Sequence, residues 1–308
     1  MSETTELADL YSVIEESARL LEVPYSRDKV RPILTAYQDA LRSEPIAFRM
    51  GMGERYTGDV DWRFSVPVED DEPYSVALAH GLLDSTDHPV FSLLGEATER
   101  CNVSSYGVDF GVVGGLKKMY VVFPPDDMAD LAALRDLPSM PPSVAGNYDT
   151  FARHGMVGKL VPTFAIDYRD RTVNLYWNFS VLPAATLAPD GVRALFRDLG
   201  LRAPSDRMIE LSKQAIGAYV TLGWDSARVE RFSFTVLAKD PADLPVPMEP
   251  ELRKFHADFR HHADDDTFLY YVAVSSSGEE IYKYAQYYRS KAFVNQMLQS
   301  TPGERRNG

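Results

Sequence analysis

The sequence predicts an α+β fold in which ten antiparallel strands close into a β-barrel surrounded by helices. Pairs of strand-like segments joined by short turns recur roughly every 55 residues, with helical segments between them, giving about five ααββ-type repeats. A sheet of ten twisted strands tends to curl or close, and no Pro-, Gly- or Ser-rich linker divides the chain. We therefore expect one domain over 1–300 and a disordered tail over 301–308.

Hydrophobic periodicity locates the elements. Leu7, Leu10 and Ile14 lie three or four residues apart, which predicts a first helix, and Ser26 is a candidate N-cap for a second helix ending near Leu41. Further helices are predicted near 74–82, 90–100, 127–136, 142–153, 190–199, 205–214, 248–260 and 289–299. The five predicted hairpins pair 45–50 with 59–67, 103–112 with 117–123, 160–168 with 172–181, 216–224 with 228–237, and 267–275 with 281–288.

The second strand of each hairpin alternates between apolar and polar residues. Around residue 62, for example, Trp62 and Phe64 alternate with Asp61, Arg63 and Ser65. If helices cover the apolar faces from outside, the polar faces line the inside of the barrel. A ten-stranded barrel is wider than the eight-stranded size that side chains alone can fill. The pattern thus predicts a solvated lumen that can hold a ligand.

One polar residue in each repeat falls at a comparable place in the second strand. These residues are Asp61, Lys118, Asn174, Arg231 and Lys283, at intervals of 52 to 57 residues. Three cations that share a lumen, in a chain of net charge −13, favour an anionic ligand such as diphosphate. The alternative is that the cations pair with strand carboxylates such as Asp61 or lie on the outer surface.

Tyrosines lie on the same strand faces as the cations. Tyr120, Tyr176, Tyr219 and Tyr287 are in phase with the polar residues. Their rings could stabilise a carbocation and their hydroxyl groups could bind phosphate oxygens. Ordinary aromatic packing within strands is the alternative.

Composition restricts the partners. A net charge of −13 opposes binding to nucleic acid or to anionic membranes. No segment reaches the ~18–20 consecutive apolar residues of a membrane span, and the acidic, polar N-terminal segment is unlike a secretory signal. Cys101 is the only cysteine, which excludes an internal disulfide and fits a reducing compartment. We expect a cytoplasmic monomer that binds small molecules.

At these residues the chain resembles the bacterial ABBA-type aromatic prenyltransferases, the NphB and CloQ group. The segments that carry the similarity are YSVIEESARLLEV, DVDWRFSVP, GVVGGLKKMYVVFP, PSMPPSVA, VNLYW, YVTLGWDSARVERFSF and EEIYKYAQYY. The resemblance implies the prenyltransferase barrel with its active site in the lumen. It also implies Friedel–Crafts-type transfer of a dimethylallyl or geranyl group from its diphosphate to an electron-rich hydroxynaphthalene, phenol or phenazine in secondary metabolism.

The resemblance assigns expected roles to single residues. The family's diphosphate-binding positions match Lys118, Asn174, Tyr219, Arg231 and Lys283. The tyrosines that shield the allylic cation match Tyr120, Tyr176 and Tyr219. The acceptor-binding wall matches Phe48, Met50, Thr163, Gly217, Ser233, Thr235, Tyr270 and Tyr287.

Two positions depart from the family pattern. Asp170 stands where some members have a diphosphate-binding lysine, and Arg169 and Arg171 are expected to point to the other face. Asp61 matches the aspartate of magnesium-dependent members, so we expect Mg²⁺ to bind there or to stimulate the reaction. However, Arg63 stands where those members have a small polar residue. Arg63 could supply positive charge without a metal, or could pair with Asp61.

The acceptor wall carries no strong general base, so water or diphosphate is expected to take the proton released from the ring. A non-catalytic barrel that binds an isoprenoid or polyketide is the main alternative function, and a prenyl diphosphate hydrolase or cyclase is another.

Four further signals are interpreted structurally: the acidic run at 126–130 as helix capping, 264–266 as a loop, the histidines within 256–262 as a solvated helix end, and GVVGG at 111–115 as a hairpin turn.

Overall fold

The chain, described by a computed structural model over residues 3–53 and 59–290, contains a closed barrel of ten antiparallel strands. This confirms the predicted fold class, and the strands form the five predicted hairpins. The barrel strands are β1 Ile46–Met52, β2 Asp61–Pro67, β3 Ser105–Gly111, β4 Gly115–Val122, β7 Thr163–Asp167, β8 Thr172–Asn178, β9 Ala215–Gly223, β10 Val229–Ala238, β11 Phe268–Ser275 and β12 Glu280–Arg289. Each pairs with its neighbours in chain order, and β12 pairs with β1 to close the barrel.

Two short strands lie outside the barrel. β5 Ala129–Asp130 and β6 Lys159–Val161 form a separate two-stranded sheet. The strand predicted over 160–168 is therefore split into two strands. Pro162, which lies between β6 and β7, has no backbone N–H to donate to a neighbouring strand.

Helices surround the barrel. They are α1 Glu3–Leu20, α2 Arg27–Ala36, α3 Gln38–Ser43, α4 Pro73–Ala79, α5 Leu93–Arg100, α6 Leu131–Arg135, α7 Pro142–Arg153, α8 Ala184–Leu187, α9 Pro189–Asp198, α10 Asp206–Ser212 and α11 Pro250–Phe259. Among the described residues, no helix has both the length and the apolar character that a membrane span requires.

Three details of the predicted helices differ from the structure. The helix predicted up to Leu41 is interrupted at Tyr37, and the side chain of Ser26 makes no capping hydrogen bond. The helix predicted over 127–136 begins only at Leu131, where the side chain of Asp130 caps it by accepting from the N–H of Ala132 at 2.8 Å. The predicted helix at 289–299 and the tail at 301–308 lie outside the described residues, except that Arg289 still belongs to β12.

A β-bulge in the β3–β4 hairpin changes which side chains enter the barrel. Asp109 lies opposite Lys118 while Phe110 lies opposite Leu116, so Lys117 is an extra residue in β4. An extra residue breaks the alternation of faces at that point. Lys117 and Lys118, although consecutive, therefore both line the cavity inside the barrel.

An aromatic layer joins the barrel to α11. Phe48 on β1 is 0% exposed and its ring lies 4.5 Å from that of Phe259 on α11 and 5.7 Å from that of Trp62 on β2. The placement of Phe48 on the acceptor wall is therefore wrong, because this strand face packs against helices. Met50 shares that face and also packs against the hydrophobic core.

Tyr270 is a second residue that points away from the lumen. Its hydroxyl donates to Glu249 and accepts from Arg207 at 3.2 Å, outside the barrel. The adjacent Tyr271 lines the lumen instead. The placement of Tyr270 on the acceptor wall is wrong by one residue, which in a strand is enough to reverse the face.

Replacement of Phe48 by alanine tests this layer. We expect Phe48→Ala to lower the free energy of unfolding by about 3–5 kcal/mol, because the cavity cannot be refilled between barrel and helix. Chemical denaturation monitored by circular dichroism measures the loss, and lumen-facing Thr235→Ala is the control with a small change. A stable Phe48→Ala variant whose only defect is a raised KM for the acceptor would instead show that Phe48 contacts the acceptor.

Candidate active site

One cavity among the described residues opens at one end of the barrel, and its lining has an excess of positive charge. Its lining includes six cations and four carboxylates: Arg49, Arg63, Lys117, Lys118, Arg169 and Lys283, and Asp59, Asp61, Asp167 and Asp170. Charged groups enclosed by protein require compensation. An excess of cations over carboxylates is therefore suited to an anionic ligand.

The structure brings the predicted diphosphate-binding residues into one lumen. Arg63, Lys118, Asn174, Tyr219 and Lys283 line the cavity. Arg231 adjoins it, because its guanidinium carbon lies 5.9 Å from the centre of the Tyr219 ring. Separate outer positions for the cations are thereby excluded, and their binding of diphosphate stays a prediction.

The other alternative, pairing with a strand carboxylate, holds for Lys118. The ammonium of Lys118 lies 2.8 Å from a carboxylate oxygen of Asp167, which is its neighbour across the β4–β7 pair. Asp167 is 3% exposed and was not anticipated as a partner.

Tyr219 lies between two cations. The Nζ atom of Lys283 donates to its hydroxyl at 3.1 Å, and the guanidinium carbon of Arg231 lies 5.9 Å from the centre of its ring. Burial alone would raise the pKa of this hydroxyl, but the positive charges of Lys283 and Arg231 lower the pKa to about 6. A lowered pKa at this hydroxyl marks a place where negative charge is favoured.

A polar chain holds Arg231 and Asn174 in place. An Nη2 hydrogen of Arg231 is donated to the hydroxyl of Thr221 at 3.1 Å, and Thr221 donates to the side-chain oxygen of Asn174 at 2.8 Å. Because Asn174 accepts with its oxygen, its amide nitrogen is the donor, and it donates to the hydroxyl of Tyr176, a cavity-lining residue, at 3.5 Å.

Three tyrosine rings form a continuous wall. The ring centres of Tyr120 and Tyr176 are 6.2 Å apart, and those of Tyr176 and Tyr219 are 5.0 Å apart. The guanidinium of Arg63 lies over the Tyr120 ring at 3.8 Å. Aromatic faces attract cations, so this wall already holds one cation and is chemically suited to a second, carbon-centred one.

Asp61 is enclosed by protein cations. One oxygen accepts from the ammonium of Lys117 and the other accepts from Arg49 at 3.0 Å. Although burial opposes ionisation, these two cations lower the pKa of Asp61 below its usual range. Arg63 does not take this place, since it stacks on Tyr120.

Several side chains that line the cavity were missed by sequence reasoning. Lys117 could not be recognised because the bulge is set by strand register. Arg49 carried a usable signal, since it alternates with Phe48 and Met50 as Arg63 alternates with Trp62 and Phe64. Arg169 was expected to face away but lines the cavity mouth. It lies in the turn after β7, where strand alternation does not apply.

The remaining acceptor-wall residues share the inner face of the barrel. Gly217 lies opposite Thr235 and Ser233 opposite Tyr219 in the β9–β10 pair, and Tyr287 lies opposite Ala47 in the β1–β12 pair. Thr163 is four residues before Asp167 in β7, so both side chains lie on the same face of the strand. Asp167 binds the inward-facing Lys118, which makes this the inner face. Contact of these residues with an acceptor stays a prediction.

Most of the sequence motifs that were interpreted as structural agree with the structure. GVVGG is the β3–β4 turn, and the 264–266 run precedes β11. His256, in contrast, is buried and hydrogen-bonded to Tyr284 at 2.9 Å, so it is not part of a solvated helix end. His261 and His262 approach Glu16 of α1. One imidazole nitrogen of each histidine and one carboxylate oxygen of Glu16 lie within 4.8 Å of one another.

The free volume of the cavity is small. About 60 Å³ is open, enough for a few water molecules. Small-molecule sites usually measure some hundreds of cubic ångströms. Inward side chains of the lining therefore have to rearrange when substrates enter.

Fold and site together define a barrel enzyme of prenyl transfer. The sequence model of a family described as aromatic prenyltransferase Orf2 matches residues 5–299. The chain is 42% identical over 289 residues to flaviolin linalyltransferase of Streptomyces virginiae, covering 94% of each chain. It is 40% identical to 5,10-dihydrophenazine-1-carboxylate 9-dimethylallyltransferase of Streptomyces anulatus, covering 98% of this chain and 100% of that one. The chain belongs to this family and is an aromatic prenyltransferase.

A solved structure supports the fold independently. The chain resembles 5-dimethylallyltryptophan synthase of Streptomyces coelicolor with a TM-score of 0.53 and 12% identity, covering 91% of this chain and 96% of that one. At this identity the likeness establishes the barrel architecture alone.

Tyr219 gives a proton-linkage prediction. At pH 7 its pKa of about 6 leaves the hydroxyl mainly ionised in the free protein. Inorganic pyrophosphate would place negative charge beside Lys283 and Arg231, raise that pKa, and cause proton uptake on binding. Calorimetric titration in buffers of different ionisation enthalpy measures this uptake. Tyr219→Phe should take up fewer protons, and equal uptake in both proteins would contradict the assignment.

Proposed function

We propose that the enzyme transfers a dimethylallyl or geranyl group from its diphosphate to a hydroxylated aromatic ring by carbon alkylation. The observation that carries this proposal is the position of Tyr219 between Lys283 and Arg231 inside a cationic, tyrosine-lined lumen. The names of the relatives add that linalyl and dimethylallyl groups are transferred within the family.

In the proposed reaction, diphosphate binds to Lys118, Arg231 and Lys283, with hydrogen bonds from Asn174 and Tyr219. Fixed cations around the leaving group stabilise its charge as the carbon–oxygen bond breaks. The rings of Tyr120, Tyr176 and Tyr219 then shield the allylic cation from water and spread its charge.

The acceptor ring is proposed to lie along the inner face formed by Thr163, Gly217, Ser233, Thr235 and Tyr287. There it would attack the allylic cation through a ring carbon, and loss of a proton would restore aromaticity. Fixing both reactants in one closed lumen supplies the proximity on which the rate depends.

Magnesium does not fit the surroundings of Asp61. Mg²⁺ requires carboxylate oxygens that are free to enter its coordination shell. Both oxygens of Asp61 accept from Lys117 and Arg49 instead. We propose that Lys117, Arg49 and Arg63 supply the positive charge near the diphosphate, so that no step requires the metal.

A barrel that only carries an isoprenoid is a weaker candidate. An apolar ligand would not need the cations around Tyr219 or an excess of cations at the mouth. Incubation with geranyl diphosphate and a dihydroxynaphthalene, followed by mass spectrometry, distinguishes the two functions. Tight binding of the diphosphate with no prenylated product from a broad acceptor panel would favour the carrier. Products formed without an acceptor would favour a hydrolase or cyclase.

The cytoplasmic location and the monomeric state stay predictions from composition. Gel filtration with light scattering measures the oligomeric state. The partners that we expect are a prenyl diphosphate and an aromatic small molecule.

Removal of the inner cations tests the diphosphate site. We expect Arg231→Ala and Lys283→Ala each to reduce turnover by about 100-fold or more, because each removes charge stabilisation from the leaving group. Steady-state assays with geranyl diphosphate measure the loss. Arg193→Ala and Lys213→Ala, on outer helices, are controls that should keep wild-type activity. Wild-type rates in the Arg231 and Lys283 variants would refute the assignment.

Removal of metal tests the charge around Asp61. We expect the rate in EDTA to equal the rate in excess Mg²⁺, because Lys117 and Arg49 already occupy both Asp61 oxygens. A matched assay in the two buffers decides this. A rate that disappears in EDTA and returns with Mg²⁺ would show that the metal displaces those cations.

A further inference from the structure

We propose that the carboxylate of Asp109 is the general base that accepts the hydroxyl proton of the aromatic substrate. The inference rests on the proposed function, since it assigns the proton of that same reaction. Asp109 lies on β3 and faces into the barrel, where it is 0% exposed.

The two oxygens of Asp109 differ. One, Oδ2, accepts from Arg49 at 2.6 Å and from the hydroxyl of Tyr120 at 2.8 Å. The other, Oδ1, is buried and has no hydrogen-bond partner among the described residues. A buried carboxylate oxygen without a donor is costly, and such atoms in native proteins need an explanation. A hydroxyl group supplied by a substrate would satisfy it.

The space beside Asp109 is suited to an aromatic ring. A second cavity there has apolar walls of Ala47, Leu269 and Ala285, and tyrosine walls of Tyr271 and Tyr287. Apolar and aromatic walls with a few convergent polar groups, here Arg49, Asp61, Arg63 and Asp109, are the usual form of a small-molecule site. About 30 Å³ is open, so lining side chains have to move when a ring enters. Tyr287 is also one of the residues expected to contact the acceptor.

This second cavity adjoins the diphosphate cavity. Arg49, Arg63, Asp61 and Tyr271 line both of them. The hydroxyl of Tyr120, which belongs to the tyrosine wall, donates to Asp109 at 2.8 Å. A ring held beside Asp109 therefore lies next to the wall where the allylic cation would form.

Other titratable groups near Asp109 are less suited to take the proton. Asp61, across Arg49, has both oxygens engaged by cations. Burial raises the pKa of Tyr287 to about 12 and also raises that of Tyr271, so both hydroxyls stay neutral.

The remaining charged neighbours are cations. Arg63 lies opposite Asp109 in the β2–β3 pair and Lys118 lies opposite it in the β3–β4 pair. They cannot act as bases while protonated, and Lys118 is engaged by Asp167.

Every proton and electron pair is accounted for over one turnover. As the ring carbon forms its bond to the prenyl carbon, the bond from that carbon to diphosphate breaks and its electron pair leaves with the diphosphate. The hydroxyl proton moves to Asp109, which gives a neutral ring ketone and a protonated carboxyl. The ring then loses its carbon-bound proton to the departing diphosphate, and Asp109 returns its proton to the ring oxygen. Asp109 thus ends as the carboxylate.

Asp109→Asn is the matched test, because the amide oxygen can still accept from Arg49 and Tyr120 but cannot take a proton. With geranyl diphosphate and a dihydroxynaphthalene, we expect turnover at pH 7 to fall by about 100-fold or more. The defect should shrink as the pH rises through the ionisation of the naphthol, since a naphtholate needs no base. Binding of inorganic pyrophosphate should be unchanged.

Other results would overturn the inference. A wild-type rate in Asp109→Asn, or a loss of the same factor at every pH, would show that Asp109 acts as a positioning residue or not at all. If the variant does not fold, the wild-type enzyme decides in single-turnover experiments. A solvent deuterium isotope effect that disappears with a fluorinated, fully ionised naphthol supports the base, and no effect with either acceptor refutes it. A wild-type protein that prenylates no acceptor would instead refute the proposed function.

Discussion

The enclosure of many cations within a closed sheet is the constraint on which the rest of the structure depends. A barrel sends every second side chain of ten strands into one narrow space, so charges from distant parts of the sequence must coexist there. Their desolvation is tolerable only if opposite charge is close. Asp61 and Asp167 are placed beside Lys117 and Lys118, and Asp109 is placed beside Arg49. The lowered pKa of Tyr219 beside Lys283 and Arg231 follows from the same requirement.

The second strand of each hairpin could be predicted well because its pattern is strict. Phe232 and Phe234 alternate with Arg231 and Ser233, and a single buried apolar face leaves one choice of orientation. The first strands were predicted less well where residue roles were taken from the family resemblance instead of the alternation. Phe48 and Tyr270 both failed in this way, and in each case the neighbouring residue, Arg49 or Tyr271, faces the lumen.

Other features could not be predicted from local patterns because they depend on pairing between strands. The bulge that turns Lys117 inward exists only in the register of β3 against β4. The partners of Asp109 come from β1 and β4, and Asp109 itself lies in a segment, SYGVDFG, that is buried almost throughout. A lone acidic residue in such a strand indicates an internal partner, but only the closed barrel identifies Arg49 and Tyr120.

The two faces of the barrel separate stability from specificity. Phe48, Trp62 and Phe259 pack in the layer outside the strands, while Ser233 and Thr235 stand on the inner face of β10. Substitutions on the inner face can therefore reshape the acceptor slot without opening the aromatic layer that holds the helices. Arg231 and Lys283 lie on that inner face too, but Arg231 is held by Thr221, which in turn donates to Asn174, and Lys283 donates to Tyr219. In the proposed reaction, the acceptor slot can thus change while the groups proposed to hold the diphosphate stay in place.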